Sequence, residues 1–337
     1  MDTLKKRDFT VFPKFRHNLW LRPEESPEIT YLTVSNCVYE IPSEQADQFL
    51  AVRTHCTGYN DIEEISKRSG IPAIEIKKIL APFQEANVTH PVIGNTAKLS
   101  EDEVTQTLTT LANLFGEHLA ETTIAHDILE SKLKKEVVLG WLVETYHYIK
   151  FFPQTLCVAV KHAKGEMKKV IAEYARQEKG HESFILKALE ACGFKKEEIE
   201  QSTPLVSIRT IQFILEDLFR YEPASVFIVA SIVEAMEYDE RSKTKFARTM
   251  KKNYQLPISM WDSFFDHIKL DNQLEHQHLM EKHIDYIKKI NKKKLNEMVN
   301  KLHDLKHAFD LQKLEIKNHY GNPGSYVPRQ YVNFFSI

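Results

Sequence analysis

The chain has 337 residues, 42% of them hydrophobic and 27% charged, with a formal net charge of −2. That is an ordinary globular composition, long enough for two domains or one large one. The near-neutral balance argues against nucleic acid or an anionic membrane surface as a partner. No apolar run approaches the roughly 18 residues of a membrane span, since VFIVASIV is short and ends at Glu234.

The four cysteines, Cys37, Cys56, Cys157 and Cys192, show no CxxC spacing, and the opening MDTLKKRDFTVFPKF lacks the apolar core of a signal peptide. Free thiols in a cytoplasmic protein are expected.

Residues 1–28 are polar and rich in proline and aromatics, and are expected to form an extended lead-in. Ile29, Tyr31 and Thr33 alternate, Val38 to Ile41 follow, and Ser35-Asn36 marks the turn of a short hairpin. Three compact helices come next: Ser43 caps the first, Asn60 or Asp61 caps IEEISKRS before its stop at Gly70, and Pro72 opens AIEIKKILAPFQEA. Val88, Val92 and Ile93 are expected in a last strand or wing. A winged-helix-like α+β module over 29–95 accounts for this order. PAIEIKKIL offers phosphates only Lys77 and Lys78, which disfavours a DNA reader.

From Ser100 onward the period is helical. Ser100 with Glu103 forms a capping box, Pro153 is expected to break the segment after Tyr148, and helices are expected over 166–191, 207–221, 223–245, 257–290 and 292–317. About seven helices with short links make a mainly α bundle over 100–317, and 318–337 reads as an irregular tail packed by its aromatics.

Three stretches of the bundle carry chemistry. In YARQEKGHESFILKALEACG, Glu178 and His181 lie one helical turn apart on one face, so both side chains can reach a single point beside the bundle interior. Such a pair is most often merely solvated. VFIVASIVEAMEYDE places Glu234 at the end of a wholly apolar run, with Glu237 a turn later; a carboxylate there must be paired, protonated or metal-bound. In SFFDHIKLDNQLEHQHLMEKH, His267 and Asp271 share a helical face that Glu275 and His278 continue, whereas His276 points nearly opposite. Carboxylates with imidazoles are the donor set of non-haem iron or manganese.

Residues from about 135 to 290 resemble the haem-oxygenase-like superfamily, and within it the non-haem di-iron oxidases and oxygenases. The resemblance rests on Glu178 with His181, the lone Glu234, and His267 with Asp271, preceded by Phe264. It implies a haem-oxygenase-like bundle and two ferrous ions, with manganese as a substitute, that react with dioxygen. Leu274 stands where that group has its last histidine, so His278 or Glu275 is expected to take its place. The helix bearing Glu144, Tyr146, His147 and Tyr148 lines the substrate cavity in the resembled fold; Glu144, Tyr146 and His147 are its candidate substrate contacts, and Tyr148 and Phe152 fit better as core.

The stretch from Tyr31 to about Pro91 resembles the small peptide-binding domain of pyrroloquinoline-quinone biosynthesis, also a leader-peptide recognition element of ribosomal-peptide modifying enzymes. That implies an extended peptide adding to a sheet edge within 29–95, and a peptide or peptide-presented substrate in natural-product biosynthesis. The alternatives are a metal-free oxidase like pyrroloquinoline-quinone synthase, a cysteine-dependent hydrolase like thiaminase II, and a non-catalytic scaffold in which the bundle forms a homodimer.

Overall fold

The computed structural model describes residues 13–15, 19–21, 27–34, 37–85, 89, 100–122, 124–130, 132–234 and 240–331. Val88, Val92, Ile93 and Glu237, for which the sequence offers roles, lie outside them. The chain divides into two compact units, Met1–Lys98 and Leu99–Ile337.

In the first unit, strands β1 (Leu19–Leu21), β2 (Ile29–Val34) and β3 (Cys37–Pro42) form an antiparallel sheet in the order β1-β2-β3. The hairpin pairs Ile29 with Pro42 and Val34 with Cys37. The lead-in is more than a surface strap. It supplies β1, and Phe15 enters a core with Phe49, Val52, Ile65, Ile76 and Leu80. Phe49 and Phe83 stack with centroids 3.9 Å apart.

Helices α1 (Ser43–Arg53), α2 (Ile62–Ser69) and α3 (Ala73–Glu85) follow. Asp61 caps α2 by accepting from the Glu64 amide at 2.8 Å, and Gly70 ends it at φ +73°, a backbone region open to glycine at no steric cost. Ser43 caps nothing. Its hydroxyl instead bonds Thr30 of β2 at 2.9 Å, tying helix to sheet.

The second unit is helical among its described residues. It runs α4 (Glu101–Thr122), α5 (Ile124–Leu129), α6 (Lys135–His162), α7 (Gly165–Gln177), α8 (Glu182–Ala191), α9 (Lys196–Glu200) and α10 (Val206–Tyr221). It continues with α11 (Ser225–Val233), α12 (Glu240–Tyr254), α13 (Ile258–Leu274), a 3-10 turn at His276–His278, α14 (Leu279–Lys282), α15 (Ile284–Ile287) and α16 (Lys292–Gly321). The Ser100–Glu103 capping box forms in both directions, at 2.7 and 3.2 Å. No helix is long and apolar enough to cross a membrane among the described residues.

The long α6 is the spine, packing against α7, α8, α10 and α16. Pro153 does not break it. A proline removes one backbone donor, and the buried face of α6, from Val137 to Ala159, holds the helix together around it. Gly140 permits a close approach of α6 to α16: a Cβ there would run into the Tyr320 ring. In α11 every residue from Val226 to Ala230 is fully buried, as a wholly apolar helix requires.

Three expected helices are broken. The 166–191 segment stops at Gln177 and resumes at Glu182, with Gly180 at φ +97° between. The 223–245 segment stops at Val233. The 257–290 segment stops at Leu274, where Glu275 takes a left-handed conformation, φ 57° and ψ 37°. Among the described aromatics of the tail, Tyr320 is buried and Tyr326 and Tyr331 are exposed.

Candidate metal centre

Each helix break delivers a polar side chain to one place. Glu178 is the C-cap of α7, His181 the N-cap of α8, and Glu234 the C-cap of α11. From α13, His267 and Asp271 arrive one turn apart, as their spacing predicts. The left-handed Glu275 then turns the chain so that His276, the residue expected to point away, is buried against the same cluster, 1% exposed.

The distances define two groups that share Asp271. In the first, His181 Nδ1 lies 3.2 Å from Asp271 Oδ1, and His267 Nδ1 lies 3.3 Å from Asp271 Oδ2. In the second, His276 Nδ1 lies 2.9 Å from Glu178 Oε1 and 3.8 Å from Asp271 Oδ1. Glu178 Oε2 closes the link to His181 Nδ1 at 3.5 Å. Glu234 stands beside them, half-buried in a cavity wall, accepting a long hydrogen bond from the Tyr174 hydroxyl at 3.4 Å.

Glu178 Oε1, His181 Nδ1, His267 Nε2, Asp271 Oδ1 and His276 Nδ1 are all buried without a hydrogen-bond partner. A buried polar atom left unpaired costs about 1–3 kcal/mol, and five in one cluster is an arrangement that only a shared cation or protons reconcile.

The hydrogens around His276 sharpen the point. Gln177 Nε2 donates to Glu173 Oε1 at 3.1 Å, which leaves the Gln177 carbonyl oxygen 3.0 Å from His276 Nε2. That oxygen only accepts, so Nε2 carries a hydrogen and Nδ1 is the nitrogen turned to Glu178. Nδ1 and Glu178 Oε1, neither with a hydrogen-bond partner, face each other across 2.9 Å. A hydrogen-bonded outer nitrogen that frees the inner one is how metal-ligating histidines are oriented.

Electrostatics agree. Glu234 is pushed well above the usual carboxylate range by burial first, then by the charges of Glu178 and Asp271. Burial alone would lower His181, but its contact with Asp271 and the charge of Glu178 hold it above the ordinary histidine value. Burial lowers His267. Three carboxylates meet at a site where α7 and α11 also end, and helix C-termini carry partial negative charge. The field thus favours a cation. Nitrogen and carboxylate donors of this kind suit iron or manganese.

Glu275 and His278 are not brought to the cluster. Their side chains are 59% and 49% exposed, Glu275 pairing with Lys282 and His278 with Glu281 at 3.4 Å. The correction is one of register: both lie on the face expected of an unbroken helix, and the helix ends before them. Glu144, Tyr146 and His147 also take other roles. Glu144 accepts from the Tyr320 hydroxyl at 2.6 Å and the Leu205 amide at 3.0 Å, His147 Nε2 meets Ser202 Oγ at 2.9 Å, and Tyr146 accepts from Lys150 at 3.2 Å. These tie α6 to its neighbours.

A different face of α6 meets the cluster. Thr145, Tyr148, Ile149 and Phe152, with Val233, Phe264 and Ile268, line a cavity of about 170 Å³ whose remaining wall is Glu178, Glu234, His267 and Asp271. Sequence reasoning missed His276, Tyr174 and Gln177. Tyr174 had a signal, standing four residues before Glu178. His276 had none, because nothing about Glu275 announces a left-handed residue.

The second unit has a haem-oxygenase-like fold. The chain is similar to the crystal structure of a domain of unknown function with that fold from Shewanella denitrificans OS217, at TM-score 0.52 and 16% identity, over 69% of this chain and 99% of that one. A TenA homologue from Pseudomonas syringae pv. tomato gives a TM-score of 0.47 at 11% identity, over 64% and 96% of the two chains. No curated protein matches the sequence. Residues 139–305, which hold the whole cluster, match the family described as iron-containing redox enzyme. The buried Glu, Asp and His groups are compatible with iron, and the family match supports an oxidoreductase.

Proposed function

We propose that the chain is a non-haem di-iron oxidase or oxygenase that uses dioxygen, in which Glu178, His181, Glu234, His267, Asp271 and His276 hold two ferrous ions. The observation that carries this reading is the unpartnered His276 Nδ1 set 2.9 Å from the unpartnered Glu178 Oε1, beside three further orphaned ligand atoms. Asp271 is common to the two donor groups, which supports two ions rather than one. Manganese in place of one iron suits the same donors.

When bound, ferrous iron supplies the electrons that activate dioxygen. The chain's own residues do the rest. Gln177 keeps the His276 tautomer, Tyr174 steadies the Glu234 carboxyl, and Val233, Ile149, Phe152 and Ile268 give the cavity dry walls that strengthen every charge interaction within.

A peptide or peptide-presented substrate of natural-product biosynthesis, recognised by the first unit, is part of the proposal. It is supported by β3 standing at the edge of its sheet with no further strand beside it among the described residues, where an extended chain adds by main-chain hydrogen bonds.

Anaerobic titration of the full chain with Fe(II), followed by oxygen, tests the reading. Two irons per chain and an oxygen-dependent absorbance change are expected, with metal lost in His181→Ala and His276→Ala and kept in His278→Ala. A chain that takes no iron, or loses it equally in His278→Ala, sinks this ligand set and returns the choice to a metal-free oxidase or a scaffold.

A further inference from the structure

Of the 15 residues of α12, Arg241, Lys243, Lys245, Arg248, Lys251 and Lys252 are cationic and only Glu240 is acidic. Arg241, Lys245, Arg248 and Lys252 fall at i, i+4, i+7 and i+11, within about 60° of arc on a stripe about 16 Å long. All four are exposed. The opposite face, Phe246, Ala247, Met250 and Tyr254, is buried, and the Phe246 ring lies 4.5 Å from Trp261 and 5.8 Å from Phe265 of α13. The helix is thus held with this stripe turned to solvent, where Arg241, Thr244, Lys245 and Arg248 border a surface hollow together with Glu240 and Thr249.

Neither ion pairing nor helix stability accounts for the stripe. Lys243, off its edge, pairs with Asp262 of α13 at 3.1 Å, whereas no carboxylate among the described residues pairs with Arg241, Lys245, Arg248 or Lys252. On α7, by contrast, Lys169 and Arg176 each pair with a glutamate three residues before them. Like charges four apart, Arg241 with Lys245 and Arg248 with Lys252, repel. Lysines in the last turn suit a helix C-terminus, but Arg241 stands in the first turn, where the helix dipole disfavours a cation.

We propose that the stripe is a docking surface for an acidic helix of a partner protein. Glu or Asp side chains at the same i, i+4, i+7 and i+11 spacing, on a helix lying along α12, meet all four cations in register. A contact one helix wide is small, so the complex is weak, fast to form and salt-sensitive. A nucleic acid or a membrane fits less well. The stripe has no aromatic side chain on which a base stacks, the net charge of −2 is wrong for a duplex reader, and the apolar face that would enter a bilayer is spent on α13. The surface owes nothing to the metal reading.

Two fluorescein-labelled, alanine-based helical peptides of one composition are the probes. One carries four glutamates at the spacing of the stripe, and the other carries them spread around the helix. Their binding to the full chain is read by fluorescence anisotropy at about 10 mM salt, where the Debye length of about 30 Å exceeds the length of the stripe. Each exposed ion pair is worth about twofold, so wild type is expected to bind the in-register peptide about tenfold more tightly than its isomer. The double variant Arg241→Glu, Arg248→Glu is expected to lose that preference. Its new glutamates stand four residues before Lys245 and Lys252, an arrangement that supports the helix, and circular dichroism and iron content check that the fold is kept. Lys164→Glu with Lys168→Glu makes the same change of net charge on α7 and its N-cap and is expected to leave the preference intact.

Equal affinity of wild type for the two peptides, no binding of either, or an equal loss in the Lys164→Glu, Lys168→Glu control would each overturn the proposal. So would tighter binding of a DNA oligonucleotide, or of phosphatidylserine vesicles, that Arg241→Glu with Arg248→Glu abolishes, since the stripe would then serve a nucleic acid or a membrane.

Discussion

Gln177 and His276 show how little of a metal site resides in its ligands alone. In the proposed site His276 would serve as a ligand because its outer nitrogen is occupied, and that depends on an amide whose orientation is fixed by Glu173, an exposed residue of α7 that also pairs with Arg176. Gln177→Leu leaves every donor atom in place and removes the acceptor that sets the tautomer. It is expected to weaken metal binding about 10- to 100-fold, the usual cost of losing such a partner. Competitive titration against a chelator measures it, and an unchanged affinity would show that the ring selects its tautomer without help. None of this was legible in the sequence, where Gln177 is one polar residue on a helix and His276 falls on the wrong face of a regular one.

Among the elements, α6 carries two buried titratable groups with opposite tendencies. Glu144 is pushed up to about 7 by burial, which outweighs its hydrogen bonds to Tyr320 and Leu205. His147 is pushed down to about 4, again by burial, with the charges of Lys150 and Arg209 adding to it. The Ser202 hydroxyl donates to the Ile199 carbonyl at 2.7 Å, so it accepts from His147 Nε2 and matches a neutral ring.

The two groups tilt stability in opposite senses. Below pH 6.5 the unfolded chain protonates His147 and the folded chain does not, so stability is lost as pH falls from about 6.5 towards 4. Above pH 4.5 the unfolded chain ionises Glu144 while the folded chain keeps its proton, so stability is lost as pH rises towards 7. Each shift amounts to about 3 kcal/mol. In urea unfolding across this range, the stability of wild type relative to His147→Gln is expected to fall by about that much on acidification, and relative to Glu144→Gln to fall on alkalinisation. Parallel curves would refute both assignments.

The sequence located α6 by its periodicity but overrated Pro153. A proline is a local penalty of roughly 3 kcal/mol, and a helix buried along most of one face can absorb it. The same periodicity could not show which polar residues of α6 face the cavity and which face neighbouring helices, because both are buried.

At the scale of the whole molecule, the mainly α class, the helical second unit and five of the six clustered residues were readable from apolar periodicity and Glu/His spacing. What stayed hidden were the interruptions at Glu178–His181, Val233–Glu234 and Glu275–His276. Apolar pattern sets which face of a segment is buried, but a break of two or three residues barely disturbs it. Glycine betrays one of the three, at Gly180; the left-handed Glu275 is held by its surroundings at a local cost of about 1 kcal/mol or more.

Those interruptions give the centre a mechanical character. Four of its six proposed donors sit at the joint between α7 and α8, at the end of α11 and just past α13, and His267 and Asp271 lie within α13, so no single rigid rod holds them. An ion gripping all of them would act as a rivet through three seams. Filling the site should therefore slow amide hydrogen exchange at Gly180, His181, Glu234 and His276 far more than in the middle of α6, where the helix is already closed. If exchange at the seams is indifferent to metal, the joints are rigid before the ion arrives; if it slows, the metal completes the fold at the very points where the helices stop.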